Sequence, residues 1–310
     1  MPRPVILDCD PGHDDALAIL FAHGDPDIDL LAITTVAGNQ TLDKTTLNAR
    51  RVCTVAGIRD VPLAAGADRP LRRPLQTAGA VHGESGLDGP VFDEPTVDVT
   101  GEHAVDLMRR LIDGHPEPVT IVPVGPLTNV ALLLRRHPDV REGIEELVLM
   151  GGSPGRGNVT PYAEFNIHTD PEAAAEVFGS GIPVTMVGLD VTHQARVTPE
   201  VVERFAAQGT AAARMCVELF EFFGGAYERR YGFSSPPLHD PVALARVIDP
   251  TLVDCVRAPV AIETAGEHTS GATVVDLMHV TGAVDNAWVA TALDVPRFWD
   301  RLVEAVRRCG

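Results

Sequence analysis

Lysine is nearly missing from this chain: Lys44 is the only one in 310 residues, and the other basic residues are arginines, a shortage we read as coding bias. The 43 acidic residues outnumber the 25 basic ones and leave a formal charge of −18, which argues against nucleic acid and anionic membranes as partners. The five cysteines (Cys9, Cys53, Cys216, Cys255, Cys309) form no CxxC pair. An odd, dispersed set fits reduced thiols in a cytosol better than a disulfide framework. No apolar run approaches the ~18 residues needed to span a bilayer, and the first one stops at Asp8, so no secretory signal is visible. The expectation is a soluble, cytoplasmic protein. Repeats, low-complexity tracts and obvious linkers are also lacking. With 45% hydrophobic residues, the chain has enough apolar surface for one large domain spanning residues 1–310.

Short β-prone runs recur at Pro4–Leu7, Asp29–Val36, Val119–Val124, Glu146–Met150 and Pro183–Leu189. Helical patterns lie between or after them, at Leu42–Ala56, His103–Asp113, Leu127–His137 and Pro171–Gly179. That alternation predicts an α/β fold with a mainly parallel, Rossmann-like central sheet flanked by helices. The strands are almost continuously apolar, as expected when both sheet faces are covered. Residues 65–100, rich in Gly, Pro and Asp, read as a long loop of the kind that often carries function. A helical stretch at Pro199–Phe223 leads into an aromatic, glycine-rich segment, Phe222–Gly232; a β-like run (Asn286–Leu293) and a last helix close the chain.

What the chain has in concentration is acid. Asp8, Asp10, Asp14 and Asp15 fall within eight residues, between an apolar strand and a helical pattern. They occupy the strand-to-helix turn, where open α/β sheets bind ligands. Like charges this close repel unless something neutralises them, and a hard divalent cation takes all-oxygen ligands of this type. The alternative is a solvated acidic turn in which Asp14 and Asp15 favour the helix N-terminus. Cys9, set among these acids, reads as a small strand residue, since neighbouring negative charge disfavours its thiolate.

Further polar clusters follow other strands. Asn39, after the second, is either a cap for the helix near Leu42 or a ligand contact. The turn Val122–Asn129 leaves strand-end carbonyls free to become metal ligands. The glycine-rich loop Met150–Asn166 carries Asn158, Glu164 and Asn166, a density of polar groups that suits a sugar. His239 adjoins Asp240 at the start of a short helix, a candidate general acid beside an acid that could complete an oxygen cage. His82, in the long loop, is a second candidate. Tyr227 and Tyr231 are spaced to share a helix face and could flank a planar ring; core packing explains the pair equally well.

Taken together, Asp8-Cys9-Asp10-Pro11-Gly12-His13-Asp14-Asp15-Ala16, Val122–Ala131, Met150–Asn166, His239-Asp240-Pro241 and Asn286–Phe298 resemble the inosine–uridine-preferring nucleoside hydrolases along essentially the whole chain. The resemblance implies a calcium ion held by Asp10, Asp15, Asp240 and the Val124 carbonyl, with Asp8 supporting the cage. It assigns Asp14, Asn39, Asn158, Glu164 and Asn166 to the ribose hydroxyls and Met150 to the back of the sugar. It implies hydrolysis of the N-glycosidic bond of a ribonucleoside, with Asp10 as general base, His239 as leaving-group acid and His82 assisting or binding the base. Two such histidines accompany pyrimidine-preferring or broad specificity, whereas purine-specific relatives stack an aromatic residue on the base. Neither Trp288 nor Trp299 stands where that residue is expected. Relatives commonly form homodimers or homotetramers. Two other readings compete. One is a non-catalytic nucleoside or ribose sensor, which has no need of His239. The other is a phosphohydrolase of the haloacid dehalogenase type, which normally has Thr or Val where this chain has Gly12 and needs a basic residue that Lys44 is poorly placed to provide.

Overall fold

The computed structural model describes residues 2–310. The strands are β1 (Arg3–Cys9), β2 (Ile28–Thr35), β3 (Leu63–Ala65), β4 (Val119–Pro123), β5 (Ile144–Met150), β6 (Val184–Val187), β7 (Val253–Ala258), β8 (Val260–Ile262), β9 (Thr273–Val275) and β10 (Ala287–Leu293). Eight of them form one sheet in the order β3-β2-β1-β4-β5-β6-β10-β7. All neighbours in it are parallel except β7 and β10, which are antiparallel; β8 and β9 make a separate antiparallel ribbon. The mainly parallel α/β sheet expected from the alternating pattern is what the chain forms.

β1 illustrates why. Val5, Leu7 and Cys9 pack into the core on one face while Ile6 packs into the core on the other, all without solvent exposure. Helices His13–Gly24, Asp240–Ile248 and Val295–Arg307 cover the first face. Ala104–Gly114, Thr128–Arg136 and Pro171–Phe178 cover the second. From β1 the chain steps outward to β2 and β3, then returns to β4 on the other side. The crevice beyond the carboxyl ends of β1 and β4 is therefore the switch point where such sheets take ligands.

Two local readings change. The stretch 199–223 is not one helix: Pro199–Ala206 and Ala211–Tyr231 are separated at Gly209 (φ +68°), where Thr210 accepts the Ala213 amide at 3.1 Å and starts the second helix. That helix continues through the aromatic and glycine-rich segment to Tyr231. β7 has no counterpart among the expected strands because it is a sheet edge with several solvent-facing positions, so it shows no apolar run. Residues 65–100 are largely loop, interrupted by one short helix, Gly79–His82. Among the described residues, no helix is long and apolar enough to cross a membrane.

Candidate functional site

The acidic turn is built by its own backbone. The Asp15 carboxylate reaches back across the turn and accepts the amides of Asp10 (3.0 Å) and Gly12 (2.9 Å), capping the helix it begins. Asn39 then stitches β2 to this turn. Its amide donates to Asp10 Oδ2 at 2.6 Å, and its side-chain nitrogen donates to the Asp10 carbonyl (3.2 Å) and to Asp15 Oδ2 (3.1 Å). The helix Leu42–Val55 has Thr41, not Asn39, at its cap position, and the contacts Asn39 makes are to the acidic turn.

Asp8 shares the face of Ile6 and meets helix Thr128–Arg136. Its Oδ1 accepts from Thr34 Oγ1 (2.7 Å) and Asn129 Nδ2 (2.8 Å), and burial pushes its carboxyl up to about 7. Asn129 also donates to the Thr35 carbonyl (3.0 Å) and accepts the Ala67 amide (2.8 Å), tying β1, β2 and the following loop together. Sequence reading placed Asn129 only near a helix start. Asn129→Ala leaves three buried polar groups without this partner, and the expected cost is about 3 kcal/mol in urea unfolding. A cost under about 0.5 kcal/mol would remove Asn129 from the framework of the site.

Asp14, Asp15 and Asp240 each bring a carboxylate oxygen within 4.8 Å of the others. Asp10 lies beside them with Oδ1 buried and without a hydrogen-bond partner. Space for that oxygen is reserved, since a Cβ on Gly125 would come within 2.5 Å of it. Burial raises all four carboxyls above their ordinary range, and neighbouring carboxylates push Asp10, Asp14 and Asp240 further in the same direction. The Val124 carbonyl, just beyond β4, accepts Asn166 Nδ2 at 2.8 Å and keeps a second lone pair. This set is all oxygen, rich in carboxyls and desolvated, and Asp10 Oδ1 has no donor. Those features fit a hard divalent cation.

Asp14, Asp240 and Val124 line a cavity of about 120 Å³, which Asp10 and Asp15 do not themselves line. Its polar wall brings together Asn39, Met150, Asn158, Glu164 and Asn166. Glu164 is also a helix cap: its carboxylate accepts the amides of Gly152 (2.9 Å), Asn166 (2.9 Å) and Ile167 (3.1 Å). Asn166 Nδ2 is committed to the Val124 and Met150 carbonyls, and Asn39 Nδ2 to the acidic turn, which leaves both Oδ1 atoms as acceptors. A wall rich in acceptors suits a ligand whose hydroxyls donate.

The same cavity is also lined by His82, His239, Tyr227 and Tyr231. His239 Nε2 is 2.8 Å from the Tyr227 hydroxyl, and its Nδ1 is 2.8 Å from Thr192 Oγ1. Burial pushes both histidines well below their ordinary value and Tyr227 well above its own. The two tyrosine rings do share a helix face, 5.0 Å apart. His82 ends the helix Gly79–His82 and meets His13, a residue the sequence did not single out. Trp288 lies on β10 and Trp299 packs on Phe298 in the last helix; neither lines the cavity. Lys44 does not line the cavity either; it donates to the Glu84 carbonyl.

Comparison with known proteins agrees over the full length. The family model described as inosine-uridine preferring nucleoside hydrolase matches residues 5–300. The chain is 50% identical over 305 residues to the pyrimidine-specific ribonucleoside hydrolase RihA of Citrobacter koseri, covering 98% of each chain. It is 51% identical over 308 residues to the protein of the same name from Shewanella woodyi, covering 99% of this chain and 98% of the other. Among solved structures, the purine-preferring ribonucleoside hydrolase from Gardnerella vaginalis superposes with a TM-score of 0.92 at 32% identity, covering 98% of each chain.

Proposed function

The chain belongs to the inosine–uridine preferring nucleoside hydrolase family, and from that membership we propose that it hydrolyses the N-glycosidic bond of ribonucleosides, releasing ribose and free base, with a preference for pyrimidines. The observation that carries this reading is the meeting of acidic, acceptor-rich groups and two buried histidines in the lining of one cavity. The pyrimidine preference is supported by the relatives near 50% identity, both named as pyrimidine-specific, and by a cavity without tryptophan.

The proposed resident ion is calcium, held by Asp10, Asp15, Asp240 and the Val124 carbonyl. When bound it supplies charge neutralisation, Lewis-acid activation of water and chelation of sugar hydroxyls. Asp14, Asn39, Asn158, Glu164 and Asn166 grip the ribose, and Met150 backs it. Asp10 takes the proton of the attacking water. Positive charge developing on the sugar is stabilised by the surrounding carboxylates. His239, once protonated in the substrate complex, gives the departing base its proton through Nε2, the nitrogen now 2.8 Å from the Tyr227 hydroxyl, and returns to neutral imidazole. His82 assists or binds the base.

A panel of uridine, cytidine, inosine and adenosine, read by free base and reducing sugar, tests the reading. We expect pyrimidine nucleosides to be cleaved at least about tenfold faster than purine ones. Binding without base release would mean a sensor, and equal rates would remove the pyrimidine preference. His239→Ala is expected to slow uridine by at least about a hundredfold while sparing a nitrophenyl riboside, whose leaving group needs no proton. Equal losses on both substrates would refute the proton-donor role.

The five cysteines are free thiols, which supports placing the protein in the reducing cytoplasm. Met278, Val280 and Val284 are more than four-fifths exposed on one loop; they support a homodimer or homotetramer, which a monomeric mass in light scattering would overturn.

A further inference from the structure

His13 is the first residue of helix His13–Gly24 and is 1% exposed. It lies nearly parallel to Phe222 and Phe223 of helix Ala211–Tyr231, with centroids 5.2 Å away in both cases and interplanar angles of 7° and 10°. Its Nε2 is 2.9 Å from the Asp88 carbonyl oxygen. That oxygen can only accept, so Nε2 carries a hydrogen. Asp88 in turn knots its own loop, accepting the amides of Glu84 (2.9 Å) and Ser85 (3.1 Å) and donating its amide to the His82 carbonyl at 3.4 Å.

The other end of His13 is aimed at His82. The two Nδ1 atoms are 3.1 Å apart and the His13 backbone nitrogen is 3.2 Å from the same His82 nitrogen, so His82 Nδ1 either gives a hydrogen to His13 Nδ1 or accepts one from the His13 amide. Gly12 makes this approach possible, because a Cβ there would come within 2.5 Å of His82 Nδ1. Both contacts engage Nδ1 of His82. Whichever tautomer His82 adopts, Nε2 is the atom left for the cavity it lines.

We propose that His13 is a positioning residue for the leaving-group chemistry, holding the His82 ring so that Nε2 faces the departing base. This rests on the reading of His82 as a group that assists or binds the base. A merely structural His13, filling the space between two phenylalanines, would affect every substrate alike.

The variants separate these roles. His13→Phe keeps an aromatic ring for the stack but loses both nitrogens. His13→Asn keeps a polar atom near the Nδ1 position, and His13→Gln keeps one near the Asp88 carbonyl instead. We expect His13→Phe to lower kcat/KM for uridine by about tenfold to a hundredfold and to cost a nitrophenyl riboside less than about threefold. His13→Asn is expected to recover most of the uridine loss and His13→Gln little of it. The double variant His13→Phe/His82→Ala should be no slower than His82→Ala alone, because both changes remove one function. Should His13→Phe fail to fold, as judged by its melting curve, the Asn and Gln pair carries the test. Equal activity of those two, equal losses on both substrates, or additive losses in the double variant would overturn the proposal. If His82→Ala itself slows both substrates equally, the reading of His82 fails and takes the His13 proposal with it.

Discussion

Asp10→Asn is expected to lower uridine turnover by at least about 10⁴-fold while leaving the metal-free protein more stable than the wild type. The two effects have the same origin. Asp10 Oδ2 is fixed by the Asn39 amide, and Oδ1 is buried with no donor to satisfy it. An oxygen in that position is costly in the folded chain unless a cation or a proton reaches it. Burial and the charge of Asp15 raise the carboxyl well above its ordinary range, so its charge opposes folding when no ion is present. Asparagine keeps an oxygen for the Asn39 amide and removes the charge. It also removes a proposed metal ligand and the only group assigned to take the water's proton. Turnover is measured with saturating calcium and stability by thermal melting after chelation. Turnover within about tenfold of wild type would exclude Asp10 as base. A metal-free melt below that of the wild type would show that its charge does not strain the fold.

The acidic turn is readable because its logic is local. Asp8 and Asp10 follow an apolar strand directly, Gly12 stands in the turn, and Asp15 is close enough in sequence to cap the helix it begins. His239 and Asp240 are likewise adjacent, so one helix start exposes both. The Tyr227–Tyr231 pair is legible as a shared face, but its target is not, since nothing in the spacing points at His239. Partners that meet only through the sheet are invisible in the same way. Asn129 lies 121 residues from Asp8, and His13 lies 69 from His82. A lone asparagine after a turn, or a histidine inside an acidic motif, carries no sign of which distant group it will hold. The edge strand β7 was hidden because one side of it faces water. The parallel strands were not, because both of their faces are buried.

Stripping the metal is expected to abolish turnover and to make stability fall as pH rises above 7. The sign follows from which state holds the protons. Burial raises the carboxyls of Asp10, Asp14 and Asp240, with Asp14 pushed up to about 8. Between the unfolded carboxylate value, ordinarily about 4, and these raised values, the metal-free folded chain binds protons that the unfolded chain has released. Unfolding stability therefore decreases with pH through that window. The buried histidines act in the opposite direction: His13, His82 and His239 are pushed down by burial and add stability as pH rises toward the ordinary histidine value. That contribution is half complete near pH 6.5 and nearly complete by about pH 7.5. Above it the buried thiols of Cys9, Cys53, Cys216 and Cys309, raised by burial, act in the same direction as the acids, so the difference between the calcium and chelator curves is what isolates the acids. Calcium requires the carboxylates ionised. Its binding displaces their protons, and the stabilisation it confers should grow with pH across the same range. Thermal melts at pH 7.0, 7.5, 8.0 and 8.5, with chelator and with saturating calcium, measure both slopes. We expect the two curves to diverge as pH rises and turnover to return when calcium is restored. A metal-free melting temperature that rises between pH 7 and 8.5, or a calcium shift independent of pH, would show that these acids do not bind the ion by giving up protons. Full turnover in protein verified free of metal would end the metal mechanism altogether.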